Sequence, residues 1–316
     1  MAEALDREVG VEGFAARLIA SHPTLFSPVP VFVPATVLAE MMLVVAAVEA
    51  AARLAPYRAA ALASASATAT TDFGPLGAFM GYDFHVTPGG PQLIEVNTNA
   101  GGAFLNAVLA RAQRACCAQE PALARLEPAA TFADDVTHMF SEEWRRQRGS
   151  EEPARIAIVD DAPEQQHLYP EFQLAKALLE QHGMEAVIAD PGQLALTGGQ
   201  LSFDGRPIDL VYNRLVDFAL EDPRHSTLRD AYVGGDVVVT PNPHVYALIA
   251  DKRNLALLSD IGLLKHWGLA QSHVAALEEG LPRTVVVSAG NAEDLWRDRD
   301  DLFFKPARGH GSKAAY

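Results

Sequence analysis

Only two cysteines occur in the chain, and they are adjacent, Cys116 and Cys117. Neighbouring positions on a helix point apart, so the pair provides neither a disulfide framework nor a metal cage, and a reduced cytoplasmic protein is expected. Positive charge is scarce as well: 25 Lys and Arg stand against 40 Asp and Glu, a formal net charge of −15. That balance excludes a nucleic-acid surface as the expected partner, yet a few converging cations with a metal can still hold a polyanion. The N-terminal stretch MAEALDREVG is acidic and polar, unlike a signal peptide. The most apolar run, 36–54, contains Glu40, Glu49 and Arg53, so it is expected as a buried or amphipathic helix and no membrane partner is expected. The ten histidines form no HExxH, and neither a Gly-x-Ser-x-Gly elbow nor a GxxxxGK[ST] loop is present. RIAIVDDAPEQQ, the first strand of the later α/β region, lacks dinucleotide-binding glycines, which argues against a Rossmann-type oxidoreductase.

What is present is ample apolar material: 316 residues, 49% hydrophobic and 21% charged, enough for two or three cored domains. Residues 1–76 are expected as a helical N-terminal region, broken at Pro23, Pro28, Pro30 and Pro34, with ASASATATT (63–71) as a linker or loop. Residues 77–150 read as strand, turn, strand and then two helices. From 154 to 245 strands alternate with helices around an Asp204-Gly205 hairpin turn, the grammar of a small parallel sheet. In 246–316, HVYALIADKRNLALLSDIG predicts one long helix, and RTVVVSAG and DLFFKPA predict strands. The fold class is therefore α/β, more strictly α+β.

Four features carry chemistry. If Pro88-Gly89-Gly90 is a three-residue loop, Thr87 faces Pro91 and Asp83 faces Glu95, with Asn97 on the same face and Ile94 and Val96 buried behind. Opposed carboxylates repel unless something positive lies between them, and oxygen donors of this kind suit Mg²⁺. A solvated acidic face accounts for the pattern equally well. In FFKPARGHGSKAAY, Lys305, Arg308 and Lys313 combine with Gly309, Gly311 and Ser312 into a flexible basic loop able to approach phosphates, although a surface turn is the commoner origin of such a segment. Lys252 lies in Asp251-Lys252-Arg253-Asn254, where a solvated helical lysine is the ordinary reading. Arg214 and Asp217 leave the end of a strand in VYNRLVDF, where open α/β sheets bind ligands; a surface Arg214–Asp217 pair is the alternative.

Taken in order, GYDF…LIEVNTNAGG, VYNR, ADKRN and FFKPARGHGS resemble the circularly permuted ATP-grasp enzymes, the eukaryotic-type glutathione synthetases and glutathionylspermidine synthetases. Glu95-Val-Asn97 precedes Lys252 and Lys305, which is the permuted order, and the likeness spans roughly 77–316. It implies a permuted ATP-grasp lobe split between 77–150 and 246–316 around an inserted Rossmann-like substrate domain at 154–245. It implies Asp83, Glu95 and Asn97 as Mg²⁺ ligands, Lys252 and Lys305 as ATP lysines, and a lid over the γ-phosphate from Arg308 through Gly309, Gly311 and Ser312, with Lys313 beyond. Arg214 would anchor the acid substrate, and Asn99, Gly101 and Gly102 would lie beside its reacting carboxylate. The reaction implied is ADP-forming ligation of a small-molecule or peptide carboxylate to an amine through an acyl phosphate, with Arg214, Lys305 and Arg308 as the catalytic set. A homo-oligomer is compatible with it. Relatives place an Arg two residues before the first acidic ligand; here that position is Gly81, a departure that favours a non-catalytic binding protein as the alternative. The chain ends eleven residues after Lys305, so the resemblance further implies adenine-binding strands beyond Tyr316 and a longer parent protein.

Overall fold

The computed structural model describes residues 3, 6–7, 12–23, 25–26, 31–116, 131–149 and 152–307. Helices α1 (Phe14–Ser21), α2 (Ala35–Ala52) and α3 (Ala55–Leu62) precede the hairpin β1 (Gly81–Thr87) and β2 (Gly90–Asn97). Helices α4 (Ala103–Cys116) and α5 (Phe132–Arg148) follow. The α/β region runs β3 (Arg155–Val159), α6 (Tyr169–Gln181), β4 (Glu185–Ala189), β5 (Leu194–Thr197), β6 (Gln200–Phe203), β7 (Arg206–Pro207), β8 (Leu210–Asn213), α7 (Ser226–Val233) and β9 (Val238–Thr240). The last helices are α8 (Asn254–Ser259), α9 (Ile261–His266), α10 (Gln271–Gly280) and α11 (Ala292–Arg297). The chain is thus a mixed α/β protein with one parallel and two antiparallel sheets, and it divides into two compact units.

The first unit comprises 1–31, 72–79 and 99–242. Its parallel sheet has the order β4-β3-β8-β9. Every residue of β3 and β8 is buried, as expected for strands covered on both faces. Ile156, Ile158 and Tyr212 pack with Phe104, Phe140 and Phe172, while Ala157, Val159 and Val211 pack with Leu201, Leu228 and Tyr232. Helices α4 and α5 therefore share the core of the parallel sheet, and the sequence-based boundary near 150 falls inside this unit.

A buried carboxylate ties the short segment 72–79 into this unit. Glu143 on α5 accepts the backbone N–H groups of Leu76 and Gly77, each at 2.8 Å, and the hydroxyl of Thr240. Thr240 Oγ1 in turn accepts the N–H of Ala78 at 2.9 Å. Four donors are satisfied in one connected set.

The second unit comprises 32–71, 80–98 and 243–316. Val44, Ala47, Val48 and Ala51 on α2 pack with Leu93 and Val96 of β2 and with Val274 and Leu277 of α10. Backbone approach is close: a Cβ on Gly280 would lie 2.3 Å from Val44 Cγ2, so only glycine fits there. By length and composition α2 is able to cross a membrane, but here its second half is core and Leu38, Met42 and Leu43 are exposed.

One sequence expectation narrows and three change. Of the linker or loop expected at ASASATATT the structure forms a loop held in place: 67–69 make a 3₁₀ turn with Thr68 and Ala69 buried, and His244 Nδ1 lies 2.8 Å from the Ala69 carbonyl. The long helix over 244–262 is broken at Asp251. RTVVVSAG and DLFFKPA form no strands, and Val285, Val286, Val287 and Phe303 are exposed. Their β-propensity has no ladder to join among the described residues, and propensity without pairing does not make a sheet. The hairpin loop is shorter than expected, as described below.

Replacing Glu143 with alanine would remove the acceptor of two partly buried amides and of the buried Thr240 hydroxyl. The expected loss in stability is roughly 3 kcal/mol, read by urea unfolding, and an unchanged unfolding midpoint would contradict this account.

Candidate functional site

In the second unit, the hairpin turns over two residues, Pro88 and Gly89, with Thr87 opposite Gly90. Gly90 takes φ +111°, which a side chain would resist, and Thr87 Oγ1 closes the turn by donating to the Gly90 carbonyl at 2.9 Å. The pairing runs Val86–Pro91, His85–Gln92 and Phe84–Leu93, then shifts, so that Asp83 faces Glu95 and Gly81 faces Asn97. Ile94 is the extra residue, a β-bulge. Asp83 thus does face Glu95, but through a shorter loop compensated by a bulge. Leu93, not Ile94, is the buried neighbour, with Val96.

The bulge leaves the Ile94 carbonyl outside the ladder, and Lys305 Nζ donates to it at 3.2 Å. The same ammonium lies 3.6 Å from Glu95 Oε2 and 5.8 Å from the centre of the Phe303 ring. Lys252 Nζ stands 2.9 Å from Glu95 Oε1. Asn97 Nδ2 donates to Asp83 Oδ2 at 3.2 Å. Asp83, Glu95, Asn97, Lys252 and Lys305 therefore meet from three separate stretches of chain. The formal charges of the two carboxylates and two ammonium groups cancel.

Local chemistry explains how Lys252 gets there. Asp251 leaves the helical conformation (φ −60°, ψ 123°) after a π turn over Tyr246–Ala250. Its carboxylate takes the Arg253 backbone N–H at 3.0 Å and the Arg253 Nε at 2.8 Å, while Asn254 Nδ2 donates to the Ala247 carbonyl at 2.8 Å. Such side-chain bonds compete with the helical ladder and break it. Arg253 is engaged by Asp251, and Lys252 is turned toward the hairpin. Among the described residues no group of three His, Cys, Asp or Glu side chains could hold a metal; the hairpin set is two carboxylates and an amide. Arg308, Gly309, Gly311, Ser312 and Lys313 lie outside the described residues, as does Cys117.

In the first unit, Asn99, Gly101, Gly102 and Arg214 come together. The chain order of the parallel sheet reverses between β3 and β8, and open α/β sheets bind ligands beyond the carboxyl ends of such a strand pair. Val159 pairs with Asn213, so the next residues on the two strands are Asp160 and Arg214. Arg214 is buried and makes no pair with Asp217. Its Nη1 donates to the Ala100 carbonyl at 3.1 Å and to the Tyr212 hydroxyl at 3.3 Å, and its guanidinium lies over the Tyr212 ring. Its Nε is buried with no hydrogen-bond partner among the described residues. Asn99 Nδ2 donates to the Leu215 carbonyl at 3.3 Å. A Cβ on Gly101 would lie 2.4 Å from Leu168 Cδ1 and 3.2 Å from Arg214 Nη2, so a side chain there would push one or both aside.

Two acids that sequence reasoning passed over belong to this group. Glu171 accepts the backbone N–H groups of Gly102, Phe104 and Leu105 at 3.1, 3.2 and 3.0 Å, closing the first turn of α4. Burial raises its pKa, against the pull of those amides and of Arg214. Asp160 is pushed up to about 6, chiefly by burial, despite the Asp161 N–H and Arg214. The strand-end rule that singled out Arg214 applies equally to Asp160. Glu171 carried no local signal, because its partners are distant in sequence.

No family model and no curated protein matches this sequence. Among solved structures, the fold is similar to that of a glutathione synthetase-like effector from Globodera pallida, determined in the apo form. The likeness covers 94% of this chain and 77% of that one, with a TM-score of 0.58 and 14% sequence identity. At that identity it is a likeness of fold.

Asp160 supplies a pH test of this geometry. A carboxyl whose folded pKa lies above its ordinary value of 3.8 binds protons more tightly when folded, so stability falls as pH rises from about 4 to about 6. Asp160→Asn keeps an acceptor for the Asp161 N–H and removes the buried charge. It is expected to be more stable than the parent at pH 7.5, by roughly 3 kcal/mol at most, and to match it near pH 4. Urea unfolding at both pH values checks this.

Proposed function

We propose that the chain is an ATP- and Mg²⁺-dependent carboxylate–amine ligase of the permuted ATP-grasp type, forming an amide and releasing ADP. The observation that carries the reading is that Lys252 and Lys305 reach Glu95 beside Asp83 and Asn97 on the hairpin. The motif order supports it, as does a fold similar to that of a protein described as glutathione synthetase-like. That description belongs to the neighbour.

The donor set fits the metal. Asp83, Glu95 and Asn97 offer hard oxygen ligands, and Mg²⁺ held there would neutralise phosphate charge and orient the γ-phosphoryl group. Lys252 and Lys305 each satisfy Glu95 now, and each would exchange that carboxylate for a phosphate oxygen. Metal alone would leave the cluster with excess positive charge, and nucleotide alone with excess negative charge. Bound together, metal and nucleotide offset part of each other's charge, so the nucleotide is held more readily with the metal than without it. Phosphoryl transfer asks the protein for positioning and charge stabilisation, with no protein nucleophile required. Arg308, Gly309, Gly311, Ser312 and Lys313 would supply the closing lid.

The acid substrate belongs, in this reading, to the first unit. The unpartnered Arg214 Nε would supply an anchor for its carboxylate, with Asn99, Gly101 and Gly102 beside it. One feature favours the non-catalytic alternative: Gly81 faces Asn97 where the resembled enzymes carry an arginine.

Calorimetric titration with MgATP tests the site. Lys252→Ala and Lys305→Ala are each expected to weaken binding about 10- to 100-fold, the worth of one charge-assisted hydrogen bond. ADP release dependent on both an acid and an amine, and lost in Glu95→Ala, supports the ligase. Binding of MgATP without turnover of any acid–amine pair supports the binding protein, and undiminished binding in both lysine variants overturns the site itself.

A further inference from the structure

A second charged cluster stands at the same carboxyl edge of the parallel sheet and takes no part in the proposed reaction. His225 is 1% exposed, and both of its ring nitrogens face carboxylates: Nδ1 lies 2.8 Å from Asp217 Oδ2 and Nε2 lies 3.1 Å from Asp161 Oδ1. A neutral imidazole carries one N–H and one lone pair, so it can satisfy only one of these contacts and opposes the other. Only the imidazolium donates to both. Asp161 belongs to the loop that follows β3, and its backbone carbonyl also accepts from Gln166 Nε2 at 2.5 Å. Asp217 belongs to the loop that follows β8. It organises that loop by accepting the backbone N–H groups of Glu221 at 3.1 Å and Asp222 at 2.8 Å.

We infer that protonated His225 is a clasp that ties the loop after β3, which begins at Asp160, to the loop after β8, which begins at Arg214. Deprotonation would leave one of the two contacts repulsive and loosen the mouth of this strand pair. The inference concerns the protein alone and stands whether or not the ligase reading holds.

The surrounding charges fit this role. Arg224 holds Asp222 at 2.7 Å and reaches Asp161 at 3.4 Å, so Asp161 shares its charge between Arg224 and His225. Asp160 and Asp222 also feel the charge of the ring, and Asp190 acts on Arg224. Burial alone would lower the His225 pKa, but its hydrogen bonds and charge interactions with Asp161 and Asp217 outweigh it, and the pKa is raised. A histidine with a raised folded pKa adds stability fully below its ordinary value of about 6.5, and loses it as pH climbs through the folded value.

Histidine-selective NMR on the full chain, without nucleotide or substrate, tests the clasp. His225 should titrate above the ordinary histidine value, and the amides of Asp161, Asp217, Glu221 and Asp222 should follow the same midpoint. Asp217→Asn should bring the His225 midpoint down toward the ordinary value while leaving the Asp161 contact in place. In parallel, the stability advantage of the parent over His225→Gln should be largest at pH 5.5–6 and shrink by pH 8.5. A midpoint at or below the ordinary value overturns the proposal. So does a His225 titration that those four amides ignore.

Discussion

One extra residue in a strand decides what the second unit can do. Because Ile94 bulges out of the β1–β2 ladder, the inward phase of Pro91 and Leu93 is reset and Val96 becomes the next core position. That leaves Glu95 and Asn97 on the outer face with Asp83 and exposes a carbonyl that Lys305 uses. Without the bulge, a side-chain period of two would force a choice between burying Leu93 and presenting Glu95 with Asn97 on the face that carries Asp83. Core and cluster are both obtained from eight residues.

The two units handle carboxylates in contrasting ways. In the second, Glu95 is balanced by ammonium groups on flexible stems, which can exchange partners at little cost. In the first, Glu143 and Glu171 are balanced by backbone amides, which cannot move away. The first kind of pairing suits a place where ligands come and go. The second fixes chain segments, and in Glu171 it shapes the floor beside Gly101 and Arg214. Asp160 accepts one backbone N–H and feels Arg214, and burial outweighs both to raise its proton affinity.

Much of this was legible in the sequence where burial speaks through local pattern. The strands β3, β8 and β9 are short apolar runs because both faces of their sheet are covered, and the Asp204-Gly205 turn marked its hairpin. The opposition of Asp83 and Glu95 was reached by counting, although loop and bulge each departed by one residue and cancelled. Less was legible where tertiary partners decide. Nothing in ALIADKRNLALL distinguishes a continuous helix from one broken by its own Asp251 and Asn254, and TVVV and LFF read as strands because propensity is local and pairing is not. Glu171 and His225 act only through residues about 60 or more positions away, or through a loop closed upon itself, and no periodicity announces either.

The discontinuity of the second unit has a consequence for biosynthesis. The hairpin at 80–98 leaves the ribosome about 150 residues before the segment from 243 onward that completes its core. At roughly 5–20 residues per second, that is a delay on the order of ten to thirty seconds. Two strands alone are marginal in water, and here Leu93 and Val96 have only α2 and α3 for cover until Leu248, Leu258 and Val274 are made. The first unit, most of whose sequence falls within that interval, is free to fold meanwhile. The order of synthesis thus lets the parallel-sheet unit form first, and the charged hairpin acquires its full cover only afterwards.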